Sequence, residues 1–90
     1  MIQEDLIRQV VQRFKDYPTT TLTQFTNWLN TLKWYEGATI RFFMYRTAIG
    51  LAQYHGITLA DYTENVIFIQ VRNWLSTTEW IKIERVIFNK

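Results

Sequence analysis

Apolar positions recur along this chain mostly at helical spacing, and the densest run lies over residues 38–55, between Gly37 and Gly56. At about 3.6 residues per turn, Ile40, Phe43, Met44, Thr47, Ala48, Leu51 and Tyr54 share one face. The opposite face carries Phe42, Tyr45, Arg46, Ile49 and Gln53. It is aromatic, aliphatic and only lightly basic. A helix that is apolar nearly all round must be covered on most sides, by its own chain or by a partner. Residues 38–55 are therefore expected to form the central element.

The flanking segments read more simply. Residues 2–16 predict a helix with Leu6, Ile7, Val10 and Phe14 on one stripe, Ile2 at its start and polar residues opposite. Glu4 and Asp5 suit the positive end of its macrodipole, and Arg13 and Lys15 the negative end. Pro18 disfavours helical backbone at Tyr17 and ends it. Thr21 and Gln24 have capping-box spacing, and Leu22, Phe25, Leu29 and Leu32 form the seam of a second helix. That helix is expected to run to about Trp34–Tyr35, with Gly37 closing it. Gly50, inside the central helix, suggests close approach of a neighbouring helix.

The last third of the chain is ambiguous in its period. Thr58 and Asp61 suggest a start, and residues 64–75 then offer two apolar helical faces, Ile67/Val71/Trp74 and Leu59/Tyr62/Val66/Ile69. Ser76 and Glu79 have capping-box spacing ahead of a stripe of Trp80, Ile83, Val86 and Ile87. The β-branched run at 66–69 and the alternation at 81–84 also allow strands. The expected fold is all-α, a compact bundle of four to five short helices around the central one. The alternative is α+β, with a C-terminal hairpin over about 66–73 and 80–88. Helices are favoured because no tight-turn pair such as Asn-Gly joins the two segments.

Composition narrows the picture. Ninety residues fit one domain, expected to span 1–90, and the four Trp, five Tyr and six Phe supply a core without any cysteine. Disulfides and thiolate metal sites are excluded. The start of the chain lacks the pattern of a secretory signal and no apolar run is long enough to cross a membrane, so a cytoplasmic location is the default expectation.

Candidate chemistry is sparse. His55 has no companion at metal-ligand spacing and reads as a residue of the last helical turn. Ser76, the sole serine, reads as a cap rather than a nucleophile. Paired carboxylates such as Glu4/Asp5, Asp61/Glu64 and Glu79/Glu84 suit helix ends or solvent, and no phosphate-binding glycine loop is present. The chain is expected to be non-catalytic, with no cofactor and no metal.

Two binding readings follow. In the first, Phe42, Tyr45, Arg46 and Ile49, with Trp34 and Tyr35 nearby in sequence, form a face that docks on another protein or on a second copy of the chain, since interface hot spots favour aromatics and Arg. In the second, the chain binds nucleic acid through Lys33, Arg41, Arg46, Lys82, Arg85 and Lys90. The region 22–55 would then act as a helix-turn-helix, with Thr39, Arg41, Tyr45 and Arg46 facing a groove. A net charge of +2 permits this but does not demand it. The protein-docking reading is preferred because the helix that would enter the groove is among the most apolar in the chain.

Overall fold

The computed structural model describes residues 4–58 and 61–88, and every regular element among them is a helix. In chain order these are α1 (Glu4–Asp16), α2 (Leu22–Leu29), α3 (Trp34–His55), α4 (Glu64–Thr77) and α5 (Trp80–Ile87). The all-α bundle expected from the hydrophobic pattern is the observed fold, and the C-terminal hairpin is not formed. Ile2 and Leu59, assigned above to apolar faces, and Lys90 lie outside the described residues.

α1 buries Leu6, Ile7, Val10, Val11 and Phe14 and leaves most of its charged side in solvent. α2 starts with the capping box expected at Thr21. The Gln24 N–H donates to the Thr21 hydroxyl at 3.1 Å, and the Thr21 N–H donates to the Gln24 side chain at 3.0 Å. Phe14, Phe25 and Phe68 bring α1, α2 and α4 together in one aromatic cluster. Phe14 stacks on Phe25 at 4.9 Å between centroids, and Phe68 meets them at 5.9 and 5.4 Å. Offset and edge-on pairs of this kind add roughly 0.5–1.5 kcal/mol each beyond area burial. α3 lies against this cluster through Ile40, Phe43, Met44 and Ala48, which belong to the same core.

Several boundaries differ from the sequence expectation, each for a local reason. α2 stops at Leu29, and α3 begins at Trp34 rather than Ala38. The Glu36 carboxylate accepts from the Lys33 N–H at 3.1 Å and fixes that start. Gly37 therefore sits inside the first turn of α3 and caps nothing. It is buried, and a Cβ there would lie 3.2 Å from the Arg41 guanidinium. α4 is capped by Thr63, not Thr58, with the Thr63 hydroxyl accepting from the Val66 N–H at 3.4 Å. Its buried line is Phe68, Val71 and Leu75, with Ile67 and Trp74 half-buried beside it. Ser76 does not cap α5. It lies within α4 and its hydroxyl donates back to the Asn73 carbonyl at 3.2 Å, so α4 runs on to Thr77.

α5 is short and buries only Ile83 fully. A polar clasp holds it to α1. One Arg8 nitrogen lies 3.1 Å from both Glu4 and Glu84, its guanidinium stacks 4.2 Å over the Trp80 ring, and the Trp80 indole donates to Glu84. Lys15 donates to the Thr78 carbonyl at 2.8 Å and secures the α4–α5 joint. Arg72 donates to the Thr20 carbonyl at 3.0 Å and ties α4 to the turn before α2.

Candidate functional site

α3 has two unlike sides. On the inner side Ile40, Phe43, Met44, Ala48, Leu51 and Ala52 are buried. Tyr54, assigned by its spacing to that side, is 83% exposed, because Leu51 and Ala52 are the last covered positions and the helix runs on beyond them. On the outer side Phe42 is 58% and Tyr45 42% exposed, Arg46 is exposed and Ile49 is half-buried. The structure thus places all four predicted face residues together and leaves most of that face open.

The face extends beyond these four residues. Tyr35, two turns before Phe42, continues the same line and is exposed. Tyr62, from the segment before α4, meets Tyr45 edge-on at 5.8 Å between centroids. Spacing puts Tyr62 on a helical face, and no local signal joins residues that pair only through the packing of α3 on α4. The Arg46 guanidinium lies 5.7 Å from the Phe42 centroid, a cation–π arrangement that keeps the cation against the apolar face.

Beside Tyr62 a pocket of about 230 Å³ opens between α2, α3 and α4. Phe25, Leu29, Met44 and Phe68 supply its apolar floor, while Arg41, Tyr62 and Glu64 stand at its polar edge. Its size suits a single large apolar side chain better than a cofactor, for which clefts of roughly 300–1,000 Å³ are usual.

The cations assigned to nucleic acid do not share one surface. Arg46, Lys82 and Arg85 line a cleft between α3, α4 and α5. Arg41 lines the smaller pocket, and the Lys33 ammonium lies 5.8 Å from the Tyr35 ring. Four other cations are already engaged: Arg8, Lys15 and Arg72 as above, and Arg13 between the rings of Tyr17 and Trp28 at 5.2 and 4.9 Å.

His55 stands in the last turn of α3 with its ring edge-on to Tyr54 at 5.2 Å. Among the described residues no three His, Asp or Glu side chains gather as a metal site, and no helix is long and apolar enough to cross a membrane. No family model, curated protein or solved structure matches this chain.

Proposed function

We propose that this chain is a small non-catalytic interaction subunit that assembles through the outer face of α3. The observation that carries this reading is the open aromatic line of Tyr35, Phe42 and Tyr45, widened by Tyr62. A contiguous apolar patch on a small folded domain marks an interaction site far more often than scattered single residues do. Tyr and Phe supply large contact area with little rotamer freedom to lose, and Arg46 adds a planar cation for a carboxylate on the partner. The pocket beside Tyr62 supports the same reading, since hot-spot side chains are buried in such recesses.

The partner must offer apolar side chains and an acidic group near them. A second copy of this chain meets both needs, because Glu64 borders the same face at the edge of the pocket. In a two-fold contact each Arg46 would reach the Glu64 of the other copy, as an isologous interface allows. Sedimentation velocity over a concentration series tests this. The native chain is expected to dimerise, and Phe42→Ala combined with Tyr45→Ala is expected to leave a helical monomer.

A further inference from the structure

The cleft between the C-terminal half of α3 and the α4–α5 joint has a volume of about 760 Å³, within the usual range for small-molecule sites. Its apolar lining comes from Phe43, Leu51, Trp74 and Ile87. Its charged lining comes from Arg46, Lys82 and Arg85, with Glu79 as a single opposing carboxylate. Among the described residues the only ion pairs join Arg8 to Glu4 and to Glu84, so none of these three cations is neutralised. Their common place along this cleft contrasts with Arg8, Arg13, Lys15 and Arg72, each of which is spent on holding helices together. Unpaired like charges on the walls of a cleft concentrate anions there.

Gly50 adds to this picture. It lies in the interior of α3, where glycine costs about 0.5–1 kcal/mol relative to alanine. Close approach of a neighbouring helix was the expected compensation, and the structure removes it: a Cβ built at Gly50 meets nothing within 4 Å. Gly50 borders the cleft, one turn after Arg46 and one turn before Tyr54. The open space beside its backbone is part of the cleft, so a ligand there can approach the helix backbone closely.

We infer that this cleft binds a small amphiphilic anion, an oxyanion head held by Arg46, Lys82 and Arg85 on an apolar body seated over Phe43, Leu51 and Trp74. A nucleic-acid strand would call for cations spaced along a track, whereas these three line one recess. The site stands apart from the proposed assembly face except at Arg46, which borders both.

Titration of the amide spectrum with octyl phosphate, octanoate, octanol, inorganic phosphate and a short oligothymidine tests the assignment. Octyl phosphate, octanoate or both are expected to bind saturably and to shift amides around Arg46–Tyr54 and Thr77–Val86, and comparing the two heads identifies the preferred oxyanion. Octanol and inorganic phosphate, each lacking half of the ligand, are expected to bind about tenfold more weakly or worse, as loss of charge-assisted contacts implies. Lys82→Glu with Arg85→Glu should weaken binding by at least about the same factor. Gly50→Trp should block the cleft while helicity is retained. The assignment is overturned if octanol binds as well as the anions, if neither anion saturates up to millimolar concentration, if Gly50→Trp binds unchanged, or if oligothymidine binds more tightly than both amphiphiles.

Discussion

Phe42 and Phe43 are neighbours of the same residue type on one helix, yet Phe43 is 2% exposed and Phe42 58%. The same division runs along most of α3, with Ile40, Ala48 and Leu51 inside and Tyr35 and Tyr45 outside. α1 has no such second side, for its apolar residues are all in the core and its outer positions are polar. The core thus consumes one apolar stripe from each helix, and α3 carries a second that the core leaves exposed. That surplus is where binding is expected.

The largest effect that sharpens this contrast is a paired truncation. Phe43→Ala should cost about 3–5 kcal/mol, the usual range for a buried aromatic, and would leave so small a domain barely folded. Phe42→Ala should change monomer stability by no more than about 0.5 kcal/mol, measured by urea unfolding at a concentration below that of assembly. Comparable losses at the two positions would mean that the outer side of α3 belongs to the core after all.

The glycines of α3 make a smaller contrast of opposite sign. Gly56 closes the helix with a φ of 66°, where any other residue is strained, so Gly56→Ala should destabilise by about 1–2 kcal/mol. Gly50→Ala, in ordinary helical backbone with open space beside it, should stabilise by about 0.5–1 kcal/mol. Thermal melts of the two variants read the difference directly. A loss at Gly50 would show that α3 is constrained there by something other than ligand access.

Smallest is the clasp between α1 and α5. Arg8 and Glu84 are partly solvated, so a double-mutant cycle on Arg8→Ala and Glu84→Gln should give a coupling of about 0.2–1 kcal/mol that falls with added salt. The pair locates α5 and thereby the wall of the cleft that carries Lys82 and Arg85, while Ile83 supplies the apolar anchor.

How much of this was legible in the sequence depended on how cleanly each segment separates its residues. α1 was readable because polar and apolar positions segregate, and α2 because Thr21 and Gln24 form a reciprocal pair within four residues. α4 was ambiguous because Val66, Ile67, Ile69 and Val71 suit strands as well as helices, and only packing against Phe14 and Phe25 decides. Ser76 misled because its spacing to Glu79 is that of a cap, while its hydroxyl is satisfied instead by the carbonyl one turn back. The outer face of α3 was visible as excess apolar circumference. The pairing of Tyr45 with Tyr62, and the gathering of Arg46 with Lys82 and Arg85, were not, since residues far apart in the chain meet only through tertiary packing.

The most direct test of the claim that α3 carries a working second face is the sedimentation of the native chain beside the Phe42→Ala, Tyr45→Ala variant, with circular dichroism on both. The native chain should show a monomer–dimer equilibrium that the variant lacks at equal helicity. A native chain that stays monomeric at every concentration, or a variant that assembles equally well, would contradict it.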